Sequence, residues 1–256
     1  MERLCDLYFE LSNEDRLRIL RQLHDKPMKV TMLSRLLEIT NQECSRHLSR
    51  LQEANLATKD TEGQYHLTPY GELTLVQLRG QLFTSRYREY FSTHTLNNLP
   101  YEFVSRLGEL ENSEFIDDVM VSVHLIEETL RNAEEYILNI NIPYIASAFP
   151  MIREVIESGI DCRWIRSTDI ELPEQMKNLR EQVITDDVVL EAIRKGTYQD
   201  KVIDRNDLVL YLSEKGVALI AFPLENGDFD FHGFKSTDPE GHKWCRDIFE
   251  YYWNKS

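Results

Sequence analysis

The stretch Thr31–Arg50, TMLSRLLEITNQECSRHLSR, decides how this chain begins to fold. Thr31 stands where an N-cap would, and Leu33, Leu36 and Leu37 recur at helical spacing, so a short helix is expected that stops near Ile39. Thr40 followed three residues later by Glu43 is the T-x-x-E pattern, in which hydroxyl and carboxylate reciprocally satisfy two free backbone N–H groups. A second helix must therefore start within three residues of the first. In it Cys44, Leu48 and Leu51 form the inner stripe, while Gln42, Ser45, Arg46, Ser49 and Arg50 fall opposite. Those polar types can bond base edges and phosphates in a major groove. The same types also make an ordinary solvated face, and the flanking chain separates the two readings.

Downstream, Leu56–Lys59 and Tyr65–Thr68 are short strand-like runs joined by Asp60-Thr61-Glu62-Gly63-Gln64, where Gly63 can supply the positive φ of a hairpin. Thr68 can then cap, and Pro69 sits at the first position of a long helix. Upstream, Ser12 is the expected cap of a helix whose Leu17, Leu20 and Leu23 complete a core. Helix, helix-turn-helix and hairpin in this order, over residues 1–70, predict a winged helix-turn-helix.

At 256 residues the chain is too long for that domain alone, so a second domain with its own core must follow. The formal charge of -15 looks wrong for a nucleic-acid binder, but it is unevenly spread. Residues 1–80 hold 11 Lys/Arg against 12 Asp/Glu, and residues 81–256 hold 18 against 32. From Lys29 to Lys59 five basic residues (Lys29, Arg35, Arg46, Arg50, Lys59) face three acidic ones (Glu38, Glu43, Glu53), so the proposed reading face is net positive. That modest field predicts an affinity resting on a few placed contacts and a dimer. Cys5, Cys44, Cys162 and Cys245 show no C-x-x-C pair, which predicts free thiols and neither a disulfide framework nor a zinc finger. An acidic N-terminus and the lack of an apolar run of membrane-spanning length predict a cytoplasmic protein without a signal peptide.

The join, about residues 71–95, reads as one helix to Thr93. Its Leu75, Val76, Leu78, Leu82, Phe83, Tyr87, Tyr90 and Phe91 suit either a partner helix or packing on both domains of one chain. Asn97-Asn98-Leu99-Pro100 ends it and opens a domain over 96–256. There Glu135–Asn141 is an expected strand, 144–158 is helical with a break at Pro150, and Ile160–Arg166 is a second strand, together a parallel pair. Leu172–Ile193 reads as irregular with helical patches. Leu208–Leu212, Gly216–Phe222 and Asp228–Phe234 read as an antiparallel meander, and Asp238-Pro239 starts a last helix with Trp244, Ile248 and Tyr252 inside. The expected class is mixed α+β: a winged helix-turn-helix, a connecting helix and an α/β domain with a mixed sheet.

The run TNQECSRHLSRLQEANLATKDTEGQYHLTPYG resembles the DNA-binding half of archaeal winged-helix regulators of ArsR-like type. The runs LYLSEKGVALIAFPLENGDFDFHGF and HKWCRDIFEYYW resemble the second domain of methanogenesis regulators of FilR type, itself distantly similar to TrmB sensor domains and to the phospholipase D fold. The resemblance implies a ligand-sensing or dimerisation role for the second domain, and it names no ligand. A phospholipase D-like enzyme needs H-x-K-x4-D, normally twice. His232-Gly233-Phe234-Lys235 is one residue too long and occurs once, so a fold of that kind without its catalytic motif is expected. His242 and Cys245 have ligand-like spacing but lack partners in sequence, so no metal and no cofactor are expected.

These readings converge on a homodimeric, sequence-specific transcriptional regulator bound to operator DNA. Gln42, Ser45 and Arg46 are expected at bases. Asn41, Ser49, Arg50 and Lys59 are expected at phosphates, with Thr40, His47 and Tyr65 beside them. For an effector, the carboxyl ends of the parallel strands point to Asn139, Asn141, Tyr144, Arg163, Trp164, Arg166 and Ser167, the arginines suggesting a small anionic metabolite. Two other classes stay open: a degenerate phosphodiesterase-like enzyme, which two convergent histidines in the second domain would favour, and a winged helix used for protein contact, which a carboxylate-covered reading face would favour.

Overall fold

The computed structural model describes residues 1–141, 145–168, 173–205 and 207–255. The chain divides into two compact units, Met1–Gln81 and Leu82–Ser256.

The first unit runs α1 (Glu2–Leu11), α2 (Glu14–Asp25), α3 (Val30–Leu37), α4 (Asn41–Glu53), β1 (Ala57–Lys59), β2 (Tyr65–Leu67) and the first part of α5 (Pro69–Arg86). Asn13, not Ser12, caps α2: its side chain accepts from the Arg16 N–H, while Ser12 closes α1. Lys29 precedes α3, so Thr31 lies inside that helix rather than capping it. The helix spans only eight residues and buries one edge, so Leu33 and Leu37 are inside and Leu36 is exposed, contrary to the expected three-leucine stripe. Glu38 takes a left-handed φ of 59° and turns the chain sharply after α3. One core holds Ile19, Leu20, Leu23, Leu33, Cys44, Leu48, Leu51, Leu56, Leu75 and Leu78. Strands β1 and β2 pair antiparallel from Ala57↔Leu67 to Lys59↔Tyr65, and Met28 bridges Tyr65 from the other side.

In the second unit α6 (Arg88–Phe91) follows α5 after a break at Tyr87, so the expected single helix to Thr93 is divided. Then come α7 (Tyr101–Val104), a 3-10 turn, β3 (Glu114–Ile116), α8 (Val119–Asn132), β4 (Tyr136–Ile140), α9 (Phe149–Ser158) and β5 (Asp161–Ser167). The chain continues with α10 (Glu174–Val183), α11 (Asp186–Lys195), β6 (Tyr198–Ile203), β7 (Val209–Ser213), β8 (Gly216–Ala221), β9 (Gly233–Ser236) and α12 (Pro239–Lys255). The strands form one mixed sheet in the order β3-β9-β8-β7-β4-β5-β6. β4 and β5 are the expected parallel neighbours, β6 extends them in parallel, and β7, β8 and β9 form the antiparallel meander.

Three expectations are corrected here. Pro150 sits in the first turn of α9, where a missing N–H costs nothing, instead of breaking a helix. The acidic stretch expected to be irregular holds two regular helices, α10 and α11. The last meander strand begins at Gly233, because 228–232 is folded into a loop that hydrogen-bonds elsewhere. One sheet face packs a cluster with Phe83, Tyr90, Phe103, Leu138, Ile165, Trp244 and Ile248, the other a cluster with Ile126, Leu130, Ile137, Phe149, Ile152, Trp164 and Tyr211. The apolar join is thereby split: Leu75 and Leu78 belong to the first core and Phe83 and Tyr90 to the second, while Leu73 and Val76 stay exposed. Among the described residues, no helix is long and apolar enough to cross a membrane.

Candidate functional site

The reading helix α4 is set by its cap. The Thr40 N–H donates to Glu43 Oε2 at 3.0 Å, and the Glu43 N–H donates to Thr40 Oγ1 at 3.2 Å. These bonds from Thr40 hold the Glu43 carboxyl below its usual pKa, so the first turn carries a fixed negative charge that suits the helix dipole. Cys44, Leu48 and Leu51 are fully buried, which fixes the rotation of the helix and turns Asn41, Gln42, Ser45, Arg46 and Ser49 to solvent. Burial also pushes the Cys44 thiol up to about 11, so it is a packing group and not a thiolate ligand.

Within that face the side chains differ. Arg46 is exposed and makes no ion pair among the described residues. Asn41 is tied back to the preceding helix, its Oδ1 accepting from Ser34 Oγ at 2.6 Å, and Ser49 Oγ donates to the Ser45 carbonyl at 3.0 Å. Arg50 lies over the Phe9 ring and donates through Nε and Nη2 to the carboxylate of Glu10 on α1, which also meets Arg16 at 3.4 Å. His47 faces inward, with its side chain only 9 % exposed and 3.8 Å from Asp15, so it is not on the face with Gln42 and Arg46. Its pKa is lowered, chiefly by burial, with Asp15 opposing.

The wing is built by Asp60, whose Oδ1 accepts from the Glu62 and Gln64 N–H groups at 2.9 and 2.8 Å, and by Gly63 at φ 82°. Lys59 is exposed with its Nζ 5.4 Å from the centre of the Tyr65 ring, and Tyr65 itself is buried. Gly71 is required where α5 crosses the end of the hairpin: a Cβ there would stand 2.0 Å from the Leu56 carbonyl oxygen.

In the second unit the residues expected around an effector divide. Asn139 and Trp164 are cross-strand neighbours, both buried. Asn141, at φ 53°, accepts from the Ser167 N–H at 2.8 Å and ties the ends of β4 and β5 together. Arg163 lies on the opposite face, 2.9 Å from Glu250 and over the rings of Phe249 and Trp253. Arg166 is paired with Asp200, its Nε donating at 3.0 Å. Tyr144 lies outside the described residues. The arginines are thus turned to local carboxylates, which the acid-rich composition makes available. Two histidines do converge, on Asp230: His94 Nε2 at 3.2 Å and His232 Nδ1 at 3.1 Å. His94 is buried, its Nδ1 engaged by the Tyr90 carbonyl at 2.9 Å, so neither of its nitrogens is available to attack phosphorus. His242 Nε2 is bound to the Ser213 carbonyl at 2.8 Å and Cys245 is fully buried.

Residues 11–60 match a family of helix-turn-helix domains. That match covers the segment whose geometry is given above, and with β1, β2 and Gly63 it makes the first unit a winged helix-turn-helix, the fold of many transcription regulators. No curated protein matches the chain. Among solved structures the chain is similar to TrmBL2, described as an archaeal chromatin protein with a novel mode of DNA binding (15% identity, 95% of this chain and 92% of that one, TM-score 0.42). It is also similar to IdeR of T. acidophilum (16% identity, 90% and 95%, TM-score 0.22) and to the S-adenosylmethionine-dependent methyltransferase SibL (11% identity, 78% and 62%, TM-score 0.28). None of the three is close enough in sequence or superposition to carry an assignment.

Proposed function

We propose that the chain is a sequence-specific DNA-binding transcriptional regulator that acts as a homodimer, with the second unit as its effector domain. The observation that carries this is the two-sidedness of α4: Cys44, Leu48 and Leu51 are sealed inside while Gln42, Ser45 and Arg46 project outward, and Arg46 makes no ion pair among the described residues. Gln42, Ser45 and Arg46 read base edges in this proposal. Asn41, Ser49 and Lys59 set the register on phosphates, and the Thr40 cap sets the angle of the helix.

Two copies place their reading helices in successive major grooves about 34 Å apart. The face of α5 that carries Leu73 and Val76, 54% and 60% exposed, supports self-association, because these apolar groups remain uncovered after both cores are complete. The ArsR-like and FilR-type resemblance is consistent with this arrangement. A ligand would regulate by binding one arrangement of the dimer more tightly than the other. Neither competing class gains: the carboxylate nearest the reading face, Glu43, is occupied by its cap, and the Asp230 histidines lack a free nucleophilic pair.

Genome-wide recovery of bound fragments tests the proposal. A shared pseudo-palindromic motif with half-sites one helical turn apart is the expected result, and salt-insensitive retention or no retention refutes it. Light scattering of the Leu73→Glu/Val76→Glu variant tests the dimer. A wild-type dimer that becomes monomeric supports it, and a wild-type monomer refutes it.

A further inference from the structure

Three residues from three separate strands meet on one face of the second sheet. Asn139 of β4 is the register partner of Trp164 on β5 and of Tyr211 on β7, so Tyr211, Asn139 and Trp164 form a row across adjacent strands. All three are buried, at 1%, 0% and 4% exposure. Among the described residues, Tyr211 Oη, Asn139 Oδ1, Asn139 Nδ2 and Trp164 Nε1 have no hydrogen-bond partner. Buried polar groups in folded proteins are almost always paired, so four unpaired atoms carried by one row of adjacent strands call for a partner. Tyr211 adjoins a register shift in the β7–β8 pairing, a device that re-aims side chains near binding sites.

We infer that this row is the recognition floor of a site for a small uncharged ligand carrying both hydrogen-bond acceptors and donors. The chemistry of the three groups defines that class. Trp164 Nε1 only donates, Tyr211 Oη donates and accepts, and the Asn139 amide does both. The row therefore needs at least one acceptor and one donor opposite it. A charged ligand has no counter-charge there: Arg163 is turned through the sheet to Glu250, and Arg166 is paired with Asp200. The row belongs to the apolar cluster that also holds Phe149, Ile152 and Tyr198, whose ring stands edge-on to Trp164 at 5.3 Å. Apolar walls with a few convergent polar groups are the usual make-up of a small-molecule site. Two strand spacings separate Tyr211 from Trp164, about 10 Å, so the row can be spanned only by a small ligand. The inference rests on the reading of the second unit as an effector domain, and it replaces the anionic metabolite with a neutral one.

Acrylamide and iodide separate a neutral-ligand site from a sealed core. Acrylamide is a neutral amide that both donates and accepts hydrogen bonds, and iodide is an anion; each quenches indole on contact. Subtracting the emission of Trp164→Phe from that of the full-length wild type isolates Trp164 from Trp244 and Trp253. Acrylamide is expected to quench the Trp164 component saturably and about tenfold more strongly than iodide. Tyr211→Phe, which removes a single oxygen, is expected to weaken that quenching severalfold while leaving the thermal midpoint unchanged or higher. A Trp164 component as resistant to acrylamide as the fully buried Trp244 overturns the inference, and so does a Tyr211→Phe variant that melts lower, because its hydroxyl would then be serving the fold. Duplex binding by the same proteins keeps the two readings apart: a sealed row with intact, salt-sensitive duplex binding removes only this site, whereas a wild type that binds no duplex removes the regulator reading instead.

Discussion

Arg46 and Arg50 sit one turn apart on the same helix, and the structure predicts that they behave differently on DNA. Arg50 is held through two nitrogens by the Glu10 carboxylate and rests on Phe9, whereas Arg46 has no ion pair among the described residues. Each phosphate neutralised contributes roughly 0.9 to the slope of log affinity against log salt, so one contact per subunit of a homodimer contributes roughly 1.8. Over a fourfold rise in salt that slope amounts to roughly a twelvefold loss of affinity. Arg50→Ala is therefore expected to leave the slope on a random-sequence duplex unchanged in fluorescence anisotropy titrations. Glu10→Gln frees the guanidinium and raises the slope by roughly 1.8, a gain that Arg50→Ala cancels in the double variant. Arg46→Ala should weaken the cognate duplex by about 1–3 kcal/mol and blur one base position, with a much smaller effect on random duplex. A slope that falls by roughly 1.8 in Arg50→Ala alone would refute the reasoning, since the pair with Glu10 would then be abandoned on DNA. Equal losses on cognate and random duplex would move Arg46 from bases to backbone.

Three further outcomes follow from packing. In the native protein a maleimide should label Cys5 alone, since Cys5 is exposed while burial pushes the Cys44 thiol up to about 11 and the Cys162 thiol to about 12; intact-mass spectrometry showing more than one adduct contradicts this. Gly71→Ala forces a Cβ against the Leu56 carbonyl and should cost the first unit about 1–3 kcal/mol or more, seen as a lower melting temperature in calorimetry, and an unchanged midpoint would show that α5 does not press on the hairpin as described. Burial sets the folded His47 pKa below its usual 6.5, so the unfolded chain takes up a proton first: stability from this residue is complete above about 6.5 and is lost as pH falls through the folded value. His47→Phe should flatten that acid-side decline, and an identical pH profile would exclude His47 as its source.

How much of this was legible beforehand depends on the distance over which each feature is written. The capping box of Thr40 and Glu43, the stripe Cys44-Leu48-Leu51 and the hairpin at Gly63 are patterns within about two helical turns or less of sequence, and each stands where the spacing put it. The strands β4, β7 and β8 were readable because apolar runs buried on both faces need no tertiary partner to be recognised. Strand β6, YQDKVI, was not, because an edge strand keeps polar side chains at water and loses the contrast that marks a strand. Leu36 misled for a related reason: helical spacing names a face, but only the neighbouring elements decide how much of it is covered.

What the chain alone determined, then, is the winged helix-turn-helix and the polar face of its second helix, since caps, turns and amphipathic spacing are short-range and act before any tertiary contact forms. What only the folded molecule decided is which of those polar groups remain available. Glu10 reaches Arg50 across 40 residues of sequence, and Asn139, Trp164 and Tyr211 become neighbours only when three strands align. Ion pairing and burial depend on distance in space, and no local pattern in the sequence encodes that distance.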